Sequence, residues 1–172
     1  INLLGISYYL KKNPTKEDYY KSLNCFEISF IKEKNSIHGL NAIKNLVIVA
    51  VKSNYISEEF KIFLTKSKKL YLEAETYFGD NNEFLQTGIN LFLYINDKQE
   101  LKKIINKILN KSTASKELIG QSIFLINNYS EWKQNEILSI AKKSKKFFQK
   151  LSVRKAIKLE NLNNQKIKIG FV

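Results

Sequence analysis

Several residue types that carry chemistry are almost missing from these 172 residues: His38 is the only histidine, Cys25 the only cysteine and Arg154 the only arginine. One histidine excludes a metal site built on paired histidines and acid–base work shared between them. One cysteine excludes an internal disulfide and points to a reducing, cytoplasmic setting. Arginine reads phosphates and base edges bidentately, so its near absence argues against sequence-specific nucleic-acid recognition. Pro14 is the only proline and there are six glycines, which leaves few helix breakers. No apolar run approaches the roughly eighteen residues that a membrane span needs, and no transmembrane segment is expected. The longest run, Leu46 to Val51, reads as buried helix. The chain begins at Ile1, not methionine, which leads us to expect a removed leader or an upstream domain.

What is present favours a folded, all-α chain. The residues are 44% apolar and 12% aromatic, far from the composition of a disordered tail. The length allows one domain with a core, or four to five stacked helix pairs. The net charge of +13 is carried by lysine and is spread along the chain.

No catalytic constellation stands out. Glu58 and Glu59 are adjacent, and Glu73 and Glu75 are two apart, so on helices each pair points in different directions and reads as a solvated face or helix start. Cys25 reads as a small buried thiol and His38 as a residue near a helix start. No phosphate loop, dinucleotide glycine motif or cysteine cluster appears, and no cofactor or metal is expected.

The strongest internal signal is an echo. Leu118 to Leu125 (Leu-Ile-Gly-Gln-Ser-Ile-Phe-Leu) repeats the pattern of Leu3 to Leu10 (Leu-Leu-Gly-Ile-Ser-Tyr-Tyr-Leu), with a weaker copy around Leu85, Gly88 and Leu91 to Leu93. Gly5, Gly88 and Gly120 are expected where a neighbouring helix comes close. Gly39 follows Gly5 by 34 residues, and Gly120 follows Gly88 by 32, near the period of a helix-pair repeat.

In chain order, the pattern predicts helices over Ile1 to Leu10; from the Thr15 cap to Lys34, with Tyr19, Leu23, Phe26, Phe30 and Ile31 inward; and from Ser36 to Lys52. The next run from Ser57 to Gly79, from Asn81 or Asn82 to Tyr94, and from Gln99 to Leu109. The last two run from the Ser112 to Ser115 region to Asn127-Asn128, and onward from Trp132 with Ile137, Leu138, Ile140 and Ala141 on the apolar side. Of each adjacent tyrosine pair, one is expected to be exposed.

Two stretches resemble the tetratricopeptide or Sel1-like repeat: Leu4-Gly5-x-x-Tyr8 is similar to its first-helix signature, and Ser22-x-x-x-Phe26-x-x-Ser29 to its second. The resemblance implies a right-handed stack of antiparallel helix pairs over 1–150, with a short extended segment at the C-terminus. After a predicted short helix, Leu151 to Leu159, and a polar connector, Asn161 to Gln165, Lys166 to Val172 (Lys-Ile-Lys-Ile-Gly-Phe-Val) reads as a strand. This junction is similar to the one at which bacterial O-linked N-acetylglucosaminyltransferase-like proteins enter their catalytic domain.

Three functions follow as expectations. The first is a protein- or peptide-binding scaffold whose contacts come from Asn2, Ser7, Asn41, Asn45, Asn90 and Gln121. The second is the acceptor-recognising arm of a glycosyltransferase whose catalytic residues lie beyond Val172. The third is a basic module binding nucleic acid or an anionic membrane through Lys142, Lys143, Lys145, Lys146 and Lys150, together with the lysines near Lys68. Binding of the third kind would weaken steeply with salt.

Overall fold

A computed structural model describes residues 1–55, 57–128 and 132–148, with side chains described as far as Lys142. Among these residues every regular element is helical: α1 (Asn2–Tyr9), α2 (Lys16–Lys32), α3 (Ile37–Asn54), a 3-10 turn (Glu58–Phe60), α4 (Lys61–Phe78), α5 (Asn82–Tyr94), α6 (Lys98–Asn110), α7 (Lys116–Asn128) and α8 (Gln134–Phe148). None of them is long and apolar enough to cross a membrane. The predicted helix 151–159, connector 161–165 and strand 166–172 lie outside the described residues.

Side-chain caps set the helix starts. The Thr15 hydroxyl accepts from the Asp18 N–H, and the Thr15 N–H donates to the Asp18 carboxylate at 2.9 Å, a reciprocal capping box. Ser36 accepts from the N–H groups of His38 and Gly39, Asn81 from those of Glu83 and Phe84, and Asp97 from that of Glu100. Ser57 caps the 3-10 turn, so α4 itself starts at Lys61. The turn into α6 is made by Asn96, a non-glycine residue with φ of 54°.

Neighbouring helices pack on one another, and α3 is central, touching α1, α2, α4 and α5. Burial follows the predicted stripes for α3 and α6: Leu40, Ile43, Leu46, Val47 and Ala50 are buried, as are Leu101, Ile104, Ile105 and Ile108. At about 1.5–3 kcal/mol for each large apolar side chain buried, this core is the main source of stability.

A second set of contacts joins helices two apart in the chain. Asn2 donates to the His38 carbonyl at 2.8 Å (α1 to α3), and Lys66 pairs with Glu27 at 3.1 Å (α4 to α2). Lys44 pairs with Glu83 (α3 to α5), and Lys107 with Glu75 at 3.0 Å (α6 to α4). Asn82 donates to the Thr113 carbonyl at 3.1 Å, just before α7, and Lys102 pairs with Glu136 at 3.1 Å (α6 to α8).

Several expectations are corrected. Gly5 and Gly88 do sit at close approaches, but a Cβ on Gly120 would meet nothing within 4 Å. Leu3, Leu4 and Leu10 are exposed because α2 and α3 cover only the other side of α1. Ile31, at the end of α2, is 52% exposed, one position beyond the buried stripe that ends at Phe30. Cys25 is half-buried rather than enclosed. Tyr8 and Tyr9 are both half-buried, since the Tyr9 ring meets Phe26 edge-on while Lys11 and Lys21 lie over Tyr8.

Candidate functional site

The odd-numbered helices hold few charges and turn one face to solvent. On α3, Asn41, Asn45 and Ile48 recur at the spacing of one helix face. On α5 the corresponding face carries Glu83, Gln86 and Asn90, and on α7 it carries Gln121 and Phe124. An open groove of about 490 Å³ runs between these three helices. Its walls are Lys44 and Ile48 from α3, Asn82, Glu83, Gln86, Thr87 and Asn90 from α5, and Ser115 and Leu118 at the start of α7.

Local structure fixes these groups. The Asn81 cap sets where α5 begins, and Asn82, its first residue, ties the loop ahead of α7 to that start. Thr87 donates its hydroxyl back to the Glu83 carbonyl at 2.8 Å, which keeps it from competing for a ligand. Gln86 donates to the Asn90 side-chain oxygen at 3.3 Å, one turn along. Lys44 and Glu83 neutralise each other across the groove. The lining therefore offers carboxamides, which both donate and accept, beside apolar surface and no uncompensated charge.

The six expected contact residues fall in different places. Asn90 lines the groove, and Asn41, Asn45 and Gln121 are half-buried on the faces that flank it. Ser7 is exposed on α1 with its hydroxyl donated to the Leu4 carbonyl at 2.7 Å. Asn2 has its amide turned onto His38, so it ties α1 to α3. Lys44, Ile48, Asn82, Glu83, Gln86 and Ser115 were not anticipated. The one signal for Gln86 is its position one turn before Asn90. Of the basic residues near the C-terminus, Lys142 is exposed on α8, and the side chains of Lys143, Lys145, Lys146 and Lys150 lie outside the described residues.

A larger cavity, about 650 Å³, lies where the C-terminal ends of α3 and α5 meet the start of α4. Part of its polar lining is engaged, while the Asn54 side-chain oxygen is buried without a hydrogen-bond partner among the described residues. Asn54 donates to the Tyr94 hydroxyl at 2.9 Å, and Lys68 pairs with Asp97 at 2.6 Å. The Lys68 hydrogen bond holds the Asp97 carboxyl below its ordinary range. Among the described residues no cluster of histidine, cysteine and carboxylate side chains is arranged to hold a metal ion. No protein-family model, curated protein or solved structure matches the chain.

Proposed function

We propose that this chain is a tetratricopeptide-like scaffold that holds a peptide segment of a partner protein along the exposed faces of its odd-numbered helices. The observation that carries the reading is the shared groove: residues from α3, α5 and the start of α7, some 70 positions apart at the extremes, line one open channel. The contacts between helices two apart support a stacked arrangement, because each joins elements separated by one intervening helix. A stack of this kind presents an extended surface on one side. The carboxamides of Gln86 and Asn90 in the groove, with that of Asn45 on the flanking face of α3, suit the N–H and C=O groups of a polypeptide, since each can satisfy both.

The test is selection of binders from a random dodecapeptide library, followed by affinity measurements on Asn45→Ala, Gln86→Ala and Asn90→Ala. Losses of about five- to ten-fold per carboxamide are expected, in line with one or two hydrogen bonds each. Recovery of no binder, or binders indifferent to all three substitutions, overturns the reading.

A further inference from the structure

The cavity where the C-terminal ends of α3 and α5 meet the start of α4 shares no lining residue with the groove. Its volume, about 650 Å³, falls within the range of about 300–1,000 Å³ in which small-molecule sites lie. Leu64 of α4, with Tyr94 and Ile95 at the end of α5, gives it apolar surface. The Tyr94 ring is braced by Tyr55, whose ring meets it edge-on with centroids 5.1 Å apart.

The polar part of the wall is unevenly satisfied. Asn54, the last residue of α3, donates its amide N–H to the Tyr94 hydroxyl at 2.9 Å and so ties the ends of α3 and α5 together. The other half of that carboxamide is left over: its oxygen is buried and has no hydrogen-bond partner among the described residues. A buried acceptor without a donor carries the full cost of its desolvation and calls for an explanation. Tyr94 accepts the Asn54 proton and keeps its own hydroxyl proton to give. One acceptor and one donor therefore stand side by side. Asn54 is only half-buried as a residue, which leaves its amide room to turn toward an occupant.

Charge narrows what could match this pair. Lys68 is paired with Asp97 at 2.6 Å, and Glu58 and Lys61 add one exposed charge of each sign to the lining. With these charges balanced, the wall holds no excess of either sign to favour an ion over a neutral molecule.

We infer that this cavity binds a small uncharged molecule with an apolar body and a carboxamide-like end, which donates to Asn54 Oδ1 and accepts from the Tyr94 hydroxyl. The apolar body lies against Leu64 and Ile95. The site is independent of the peptide-binding reading, since none of its side chains belongs to the groove.

The test uses benzamide, benzoate and benzylamine, which share one ring and end in a neutral, an anionic and a cationic group at pH 7. Each is titrated into ¹⁵N-labelled protein up to about 10 mM, a range that reaches millimolar dissociation constants, and followed by amide chemical shifts. Benzamide is expected to move the side-chain signals of Asn54 and the backbone signal of Ile95. It should bind at least about five-fold more tightly than either charged probe, the order of one matched hydrogen bond. Asn54→Ala and Tyr94→Phe should each weaken benzamide by about five-fold, with helical circular dichroism as in the parent; Tyr94→Phe keeps the ring and removes only the hydroxyl. Equal affinity for the three probes, no benzamide shifts at these residues up to the highest concentration, or benzamide affinity unchanged in both variants overturns the inference.

Discussion

Ser22 donates its hydroxyl to the carbonyl of Gly5 at 2.8 Å, across the junction of α1 and α2 and away from solvent. A side chain oxygen on one helix can reach a backbone oxygen on the other only when the backbones are close. The Phe26 ring fills the space that a Gly5 side chain would occupy, with its Cε1 2.8 Å from the ideal Cβ position. Gly5→Ala gains roughly 0.5–1 kcal/mol of helix propensity but must displace a fully buried ring, and overpacking of this kind costs about 1–3 kcal/mol. We expect a net loss of about 1–2 kcal/mol in urea unfolding. Gly120→Ala, with open space around it, should instead stabilise by about 0.5–1 kcal/mol. If the two substitutions shift stability in the same direction, the packing difference between the two glycines is wrong.

Gly88 is tighter still. An added Cβ would lie 2.1 Å from the Tyr71 hydroxyl oxygen and 2.5 Å from Ile104 Cδ1. Tyr71 has little room to yield, because its ring stacks on Phe84 at 4.1 Å and its hydroxyl donates to the Phe84 carbonyl at 3.0 Å. Burial pushes the ionisation of that hydroxyl well above the ordinary tyrosine range, so it stays protonated and donating. Gly88→Ala is expected to cost about 2–4 kcal/mol, and Tyr71→Phe alone about 1 kcal/mol for the lost hydrogen bond. The pair should cost less than the sum, because Tyr71→Phe removes the atom that the new methyl strikes. A strictly additive double mutant, read from denaturant midpoints, contradicts the contact.

How far the sequence foretold these relationships depended on range. Thr15, Ser36 and Asn81 act within three residues of themselves, and local chemistry marked all three. The stripes on α3 and α6 were equally readable, since each helix carries its own period. Gly120 misled because its surroundings repeat those of Gly5 in type, whereas what fills the space next to a glycine comes from another helix: Phe26 for Gly5, nothing for Gly120. Ile31 failed because one face cannot reveal where a covering neighbour stops. The groove was legible only as polar helix positions. Lys44 with Glu83, and Asn82 with Thr113, are 39 and 31 residues apart, and loop lengths that sequence periodicity does not fix decide whether they meet.

Acid should weaken the start of α2. The Asp18 carboxyl is lowered to about 2, first by the Lys11 ammonium that hydrogen-bonds it and then by the Thr15 N–H and hydroxyl. A group whose pKa is lower folded than unfolded supports the fold above its unfolded value, near 3.8, and loses that support as pH falls toward 2. Stability should therefore fall across that interval, and Asp18→Asn should remove part of the fall while lowering stability at neutral pH. Thermal melts of parent and variant from pH 7 to pH 2 supply the check. Parallel curves between pH 4 and 2 would mean that Asp18 is not held in this way.

The pair between Lys66 on α4 and Glu27 on α2 tests the relation between helices two apart. Exposed ion pairs contribute only about 0.2–1 kcal/mol, so their value here is as reporters of proximity, with the apolar core holding the helices together. Glu27→Lys sets two ammonium groups against each other, and Lys66→Glu sets two carboxylates against each other; each should destabilise by a similar small amount. Exchanging both restores an opposite-charge pair, and the double variant should recover most of the loss. The recovery should shrink in 1 M salt, where the screening length falls to about 3 Å. Were the charges far apart, the two losses would simply add and salt would leave their sum unchanged, so the cycle tests the α2 to α4 contact independently of the groove.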